Sequence, residues 1–133
     1  MSDSRRKIVI VSGAPGAGKT TLAVPLATRL GFPLFCKDFI KETLTDTLGD
    51  SGGDLAASRR IGGAAMELLW SLARHAPHAV LEANFRPRSA YERDRLASLD
   101  AVIVEVTATA GQTKPPDVFA IGRRQAPITL RIH

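Results

Sequence analysis

The sequence is poor in cysteine, in aromatic residues and in long apolar runs, and each shortage excludes some classes of protein or of site. The single cysteine, Cys36, excludes an intramolecular disulfide and any metal site built only from cysteines. Aromatic residues make up 5% of the 133 positions, so the core must consist mainly of aliphatic side chains. No run approaches the ~18 apolar residues of a membrane helix, and no early stretch has the form of a signal peptide. We therefore expect a single-domain globular protein that is cytoplasmic and has no membrane partner.

Positively charged residues are in excess, but they are not concentrated in one segment. Eighteen Lys and Arg residues against thirteen Asp and Glu residues give a net charge of +5. Such an excess suits an anionic ligand, although it is equally typical of an ordinary solvated surface. No dense basic run with interleaved aromatic residues occurs, which argues against a dedicated nucleic-acid surface.

Short apolar runs alternate with segments of helical character. The apolar runs occupy residues 8–11, 32–36, 79–83 and 101–106. The segments of helical character occupy residues 18–30, 39–48, 54–73 and 89–99. Asp54 is a suitable helix cap, and Ser89 with Glu92 has the spacing of a capping box. The alternation predicts an α/β fold with a mainly parallel sheet, in which ligands bind at the carboxyl ends of the strands.

A Walker A phosphate-binding motif directly follows the first predicted strand. Its glycines let the backbone fold into a nest of inward N–H groups, and the dipole of the next helix favours phosphate. Lys19 can reach the β- and γ-phosphates of a nucleotide, and the Thr20 hydroxyl can bind Mg²⁺. We therefore predict a site for ATP and Mg²⁺. It is formed by Gly13, Ala14, Pro15, Gly16, Ala17, Gly18, Lys19, Thr20 and Thr21.

Carboxylates lie at or just after the carboxyl ends of two other predicted strands, on the same edge of the sheet. Asp38 is either the N-cap of the next helix or the base that accepts a proton from a substrate hydroxyl. Glu82 is either a surface carboxylate or a Walker B-like group that holds Mg²⁺ through water or contacts the substrate. We favour the functional interpretation of Glu82, because an acid inside an apolar strand is costly to bury. Glu105 is expected at the solvent edge or facing a helix, and Cys36 in the core.

Basic residues near this edge are candidate contacts for an anion, although each is also typical of a solvated surface. They are Lys37, Lys41, Arg59, Arg60, Arg86 and Arg88. Arg86 and Arg88 stand out because they follow the third strand on the predicted active edge.

The sequence resembles the small P-loop kinases with an AAA-type ATP-binding domain. These include chloramphenicol phosphotransferase, zeta-toxin-type kinases, gluconate kinase and the kinase domain of phage polynucleotide kinase. The resemblance rests on residues 13–21, 35–41 and 80–86. It implies a P-loop NTPase three-layer sandwich in which Asp38 occupies the position of the base toward the acceptor hydroxyl. Lys41 matches a basic residue that contacts the acceptor in some members, and Glu82 matches an acidic position used for metal or substrate.

The family pattern stops at Val106, so we divide the chain into a P-loop kinase core (1–106) and an atypical tail (107–133) that is no separate domain. The fold would then be incomplete at the C-terminus. When GC-rich codons are chosen for residues 109–125, translation in a reading frame shifted by one base gives an Arg-rich segment. That segment resembles the lid of this family. We therefore hypothesise a frameshifted tail, in which Arg123 and Arg124 are the only nearby candidates for lid arginines.

The sequence thus predicts a kinase that transfers the γ-phosphoryl group of ATP to a hydroxyl of a small molecule, with impaired activity if the tail is abnormal. Three alternatives stay open: an ATP hydrolase or nucleotide-dependent switch, a non-catalytic nucleotide-binding protein, and a nucleic-acid 5′-hydroxyl kinase. The acceptor, the preferred base and the oligomeric state do not follow from the sequence.

Overall fold

The computed structural model describes residues 5–13, 18–49, 52–86, 89–108 and 128–132. Strands in these residues are β1 (Lys7–Ser12), β2 (Leu34–Cys36), β3 (His78–Glu82), β4 (Val102–Ala108) and β5 (Ile128–Ile132). Helices are α1 (Lys19–Leu30), α2 (Lys37–Leu48), α3 (Leu55–His75) and α4 (Ala90–Ser98). The predicted alternation of strands and helices is therefore confirmed. None of the helices within the described ranges is long and apolar enough to cross a membrane.

The strands form a single sheet in the order β2-β3-β1-β4-β5. The first four strands run parallel, with Val9 of β1 opposite Val80 of β3 and Val104 of β4. This arrangement confirms the predicted parallel sheet and brings the carboxyl ends of β1, β2 and β3 to one edge. Strand β5 pairs antiparallel with β4, which itself continues to Ala108, past the predicted end at Val106.

Apolar side chains cover both faces of the sheet, because the β-branched residues of β1 point alternately to opposite sides. One face packs against α1 through a cluster that includes Val9, Val11, Leu22, Leu26 and Val80. The other face packs against α3 through a cluster that includes Ile8, Ile10, Leu69, Trp70 and Leu81. Helices therefore lie on both sides of the sheet, as a three-layer sandwich requires. Glu105 of β4 is buried, so of its two expected positions the solvent edge was wrong and the position facing a helix stays a prediction.

The ends of the helices follow the predicted capping chemistry except at α2. Asp54 accepts a hydrogen bond from the N–H of Ala56, and the Ser89 hydroxyl accepts one from the N–H of Glu92. Helix α2 instead begins at Lys37, directly after β2, with no side-chain cap. Asp38 lies in its first turn, so the N-cap interpretation of Asp38 was wrong.

Candidate functional site

The glycines at the two ends of the phosphate loop have backbone conformations that favour glycine. Gly13 has a φ of 149°, and a Cβ atom built there would lie 2.5 Å from the carbonyl oxygen of Ala108. Gly18 has a φ of 85° and precedes the first residue of α1. Because a side chain at position 13 would collide with backbone, the start of the loop depends on glycine. The predicted loop residues Ala14, Pro15, Gly16 and Ala17 lie outside the described residues.

Lys19 extends from the first turn of α1 toward the carboxyl ends of β1 and β3. Its Nζ lies 3.0 Å from the carbonyl oxygen of Gly13 and 2.7 Å from Oδ1 of Asn84. These contacts hold the ammonium group at the mouth of the phosphate loop. Asn84 is a site residue that the sequence reasoning missed, although it follows Glu82 by two positions on the predicted edge.

Thr20 and Glu82 are in direct contact, although they are far apart in the sequence. The Thr20 hydroxyl donates a hydrogen bond of 2.6 Å to Oε1 of Glu82, whose residue is only 7% exposed. The register explains the contact, since Glu82 lies opposite Val11 at the carboxyl end of β1, where the phosphate loop begins. Glu82 is therefore not a surface carboxylate.

The Cys36 thiol contacts the other oxygen of Glu82. Cys36 ends β2 opposite Glu82, and its Sγ donates a hydrogen bond of 3.1 Å to Oε2. Burial raises the pKa of the Cys36 thiol to about 12, and the hydrogen bond and negative charge of Glu82 and the charge of Asp38 add to this rise. The thiol is therefore protonated at neutral pH. The expected core position was wrong, because Cys36 is half-buried at the site.

Asp38 presents its carboxylate to solvent beside this group. Its side chain is 84% exposed, and Oδ1 lies 3.8 Å from Nζ of Lys37. Its negative charge reaches Cys36 and contributes to the raised pKa of that thiol. An exposed carboxylate at the start of α2 is accessible to a ligand arriving from solution.

Two of the remaining candidate residues, Lys41 and Arg86, belong to segments that directly follow β2 and β3. Lys41 lies one helical turn after Lys37 on α2 and is half-buried. Arg86 follows β3 with an exposed side chain, and its backbone N–H donates to the buried carboxylate of Glu92. Arg88, Arg123 and Arg124 lie outside the described residues.

The side chains of Thr20 and Glu82 offer hard oxygen atoms as possible metal ligands. The Thr20 hydroxyl and the Glu82 carboxylate are the kind of ligands that suit Mg²⁺, which keeps several waters and takes few protein ligands. No group of three or more His, Cys, Asp or Glu residues that could hold a metal occurs among the residues that the structure describes.

The central strand of this parallel sheet leads into a glycine-bounded loop, which is followed by Lys19 and Thr20. Together these features define a P-loop nucleotide-binding domain. Residues 8–96 match the AAA domain family, and the chain therefore belongs to this family. Its architecture is that of a small P-loop kinase. No curated protein is significantly similar to the chain in sequence.

Solved structures share this fold. A Chloroflexus aurantiacus protein described as a candidate kinase is 32% identical over 80% of this chain and 61% of its own, with a TM-score of 0.70. Hexameric APS kinase from Thiobacillus denitrificans is 24% identical over 86% of this chain and 24% of its own, with a TM-score of 0.52. A chain of the Pnkp1/Rnl/Hen1 RNA repair complex is 19% identical over 80% of this chain and 34% of its own, with a TM-score of 0.55.

These likenesses show that the chain has the fold of the P-loop kinases, and its family is given by the match to the AAA domain. The chain spans 61% of the length of the Chloroflexus protein and smaller shares of the other two chains. The acceptor and the complete reaction are therefore matters for proposal.

Proposed function

We propose that this domain transfers the γ-phosphoryl group of ATP to a hydroxyl group of a small molecule. The observation that carries the proposal is the convergence of Lys19, Thr20 and Glu82 at the carboxyl ends of β1 and β3. A cation beside a hydroxyl and a carboxylate is the arrangement that a Mg-nucleotide needs, because phosphoryl transfer depends on positioning and charge stabilisation.

The nucleotide phosphates would be held by Lys19 and the loop backbone. Asn84 now accepts a hydrogen bond from Lys19, so it would orient the ammonium group toward the β- and γ-phosphates. Thr20 and Glu82 would hold Mg²⁺, directly or through water. Bound there, Mg²⁺ would neutralise charge on the phosphate oxygens.

Asp38 would act on the acceptor. Its carboxylate accepts the proton of the acceptor hydroxyl, whose oxygen forms a bond to the γ-phosphorus while the bond to the β,γ-bridging oxygen breaks and ADP leaves. The solvent exposure of Asp38 supports this role, because an acceptor can reach it without rearrangement of the core. Lys41 and Arg86 are the candidate acceptor contacts.

Phosphoryl transfer from radiolabelled ATP to a panel of hydroxyl compounds tests the proposal. We expect labelled product with the wild type, loss of product with Asp38→Asn and retention of product with Lys7→Gln, which removes an exposed charge at the opposite end of β1. Loss of ATP without labelled product would instead indicate a hydrolase. Nucleotide binding without any turnover would indicate a non-catalytic protein, and labelling of a 5′-hydroxyl oligonucleotide alone would indicate a nucleic-acid kinase.

We also propose that residues 107–133 are a frameshifted tail, which would leave the kinase without its lid arginines. Loss of such an arginine costs about 10³-fold or more in rate in related phosphoryl transfer reactions. Sequencing the coding DNA tests this idea. A single-base change that restores a longer kinase-like reading would support it, and the absence of any such change would end it.

A further inference from the structure

Both oxygens of the Glu82 carboxylate accept hydrogen bonds, and the two donors come from different elements. Oε1 accepts the hydrogen bond of 2.6 Å from the Thr20 hydroxyl in the first turn of α1. Oε2 accepts the hydrogen bond of 3.1 Å from the Cys36 thiol at the end of β2. Glu82 itself is buried at the end of β3. The carboxylate is therefore held at two points, one on the helix that follows the phosphate loop and one on the edge strand.

The two donors differ in how they relate to a metal. A hydroxyl has two acceptor lone pairs, so the Thr20 oxygen can bind Mg²⁺ while its hydrogen points to Oε1. The sulfur of a thiol is soft and accepts only weakly, whereas Mg²⁺ prefers hard oxygen atoms, so Cys36 is a poor ligand for this ion. Binding of Mg²⁺ beside Thr20 therefore does not require the thiol to leave Oε2.

Strand pairing holds the thiol in place. Cys36 lies opposite Glu82 in the parallel ladder between β2 and β3, and Phe35 before it lies opposite Leu81. A single side-chain torsion sets the position of a cysteine sulfur, and that torsion has three staggered values, so few other positions are available to it. Departure of the thiol would also take away the donor to one oxygen of a buried carboxylate, which is unfavourable. The contact with Oε2 is therefore a fixed feature of the site.

The number of carboxylate oxygens that a metal can use separates Mg²⁺ from Ca²⁺. Mg²⁺ demands near-octahedral geometry, keeps several waters and is held by one or two carboxylates together with substrate phosphates. Ca²⁺ takes about 6–8 oxygen ligands in flexible geometry and often uses both oxygens of one carboxylate. With the thiol on Oε2, Glu82 offers a single oxygen, Oε1, to a metal beside Thr20. This arrangement is sufficient for Mg²⁺ and deprives Ca²⁺ of a bidentate ligand.

We propose that Cys36 is a specificity-determining residue that favours Mg²⁺ over Ca²⁺ at the nucleotide site, because it occupies the second oxygen of Glu82. Cys36 is a positioning residue in this account, since it acts through Glu82 and binds neither metal nor substrate itself. The inference rests on the proposed function, which takes Thr20 and Glu82 as the residues that hold the metal. It adds that the nucleotide is accepted as its magnesium complex in preference to its calcium complex.

Binding of ADP in the presence of Mg²⁺ or of Ca²⁺ tests the proposal without turnover. Thermal unfolding detects each complex, and isothermal titration calorimetry gives its Kd. We expect the wild type to bind Mg-ADP more tightly than Ca-ADP. In Cys36→Ala, which removes the donor to Oε2, this preference should fall about tenfold or more. Cys36→Val, which fills the space without a donor, should behave in the same way, whereas Cys36→Ser, whose hydroxyl can donate to Oε2, should keep the preference of the wild type.

The outcomes separate failure of this inference from failure of the proposed function. If Mg-ADP binds to the wild type but Cys36→Ala and Cys36→Val keep the same preference for Mg²⁺, the role of Cys36 is overturned and the nucleotide site stands. Equal affinity of the wild type for the two complexes would also overturn it. A merely structural role would lower the melting temperature of the unliganded variants and weaken both complexes alike, which again contradicts the proposal. If neither complex binds to the wild type, the nucleotide site and the inference fail together.

Discussion

Two buried glutamates, Glu82 and Glu92, differ in the kind of groups that satisfy them. Glu82 is 7% exposed and accepts hydrogen bonds from the side chains of Thr20 and Cys36. Glu92 is 5% exposed and accepts one from the backbone N–H of Arg86. Burial alone therefore does not distinguish a binding carboxylate from a structural one, whereas the identity of the donors does.

The two carboxylates differ in whether their hydrogen-bond donors can be replaced by a ligand. A side-chain hydroxyl or thiol can rotate away when a metal or ligand arrives, so Glu82 can change partners at low cost. The N–H of Arg86 is part of the backbone and cannot rotate to another partner, so the loss of Glu92 removes its acceptor. We therefore expect changes at Glu82 to affect ligand binding and catalysis, and changes at Glu92 to affect folding.

The largest effect is expected from Glu82→Gln. Replacing the carboxylate by an amide removes a negative charge beside the proposed Mg²⁺ position, so phosphoryl transfer should fall about 10- to 100-fold. The unliganded protein should melt close to the wild type, because the amide oxygen can still accept from Thr20. Steady-state assays over a range of Mg²⁺ concentrations measure this effect. Wild-type rates in the variant would remove Glu82 from the site.

Glu92→Ala provides the opposite case. It should lower the free energy of unfolding by about 1–3 kcal/mol, because the Arg86 N–H loses its carboxyl acceptor in a part-buried position. The melting shift caused by Mg-ATP should stay that of the wild type. Denaturant unfolding with and without nucleotide measures both quantities, and Glu92→Gln, which keeps an acceptor oxygen, is the control. A loss of nucleotide binding with unchanged stability would reverse the assigned roles.

The reactivity of Cys36 should report the charge at Glu82. Burial and the Glu82 carboxylate together hold the pKa of the thiol high, so Glu82→Gln should lower that pKa. Each unit by which the pKa falls increases the thiolate fraction about tenfold. Alkylation by iodoacetamide at alkaline pH, followed by mass spectrometry, measures the rate at this single cysteine. Mg-ATP should alter the rate in the wild type as it occupies Glu82. A rate that is unaffected by Glu82→Gln would show that the two groups are not coupled.

The smallest effect concerns the pH dependence of stability. Burial raises the pKa of Glu92 above its ordinary value of 4.5, and Glu105 adds to this rise, while contacts with Arg86 oppose it. A carboxyl group with a raised pKa in the folded state stabilises the fold most when protonated, so its contribution is lost as pH rises through that folded pKa. The stability of the wild type relative to Glu92→Gln should therefore decline above about pH 4.5. Urea titrations over a pH series test this, and a difference that is constant with pH would contradict it.

The architecture was predictable because it depends on local patterns. The apolar run of β1, the glycine loop and the four-residue spacing of Leu22, Leu26 and Leu30 indicate strand, loop and helix without knowledge of the fold. These features follow from periodicity and backbone chemistry.

Polar contacts between elements were less predictable because they depend on register. Asn84 meets Lys19, and Cys36 meets Glu82, only because β3 ends level with β1 and β2. Nothing near Cys36 in the sequence indicates a carboxylate partner. The N-cap interpretation of Asp38 failed because α2 follows β2 without a connecting residue. The catalytic and binding roles of these residues stay predictions.

Thermal unfolding with and without Mg-ATP, compared between the wild type and Lys19→Ala, tests the central claim most directly. Trp70 is the only tryptophan, is fully buried and lies 5.4 Å from Phe85 between ring centroids, so its fluorescence reports the loss of the core. A ligand that binds only the folded state raises the free energy of unfolding, by about 2.7 kcal/mol at a hundredfold excess over Kd. The melting temperature rises with it. The account predicts a clear rise in the wild type that is lost in Lys19→Ala. An unchanged melting temperature in the wild type, or an equal rise in both proteins, would contradict it.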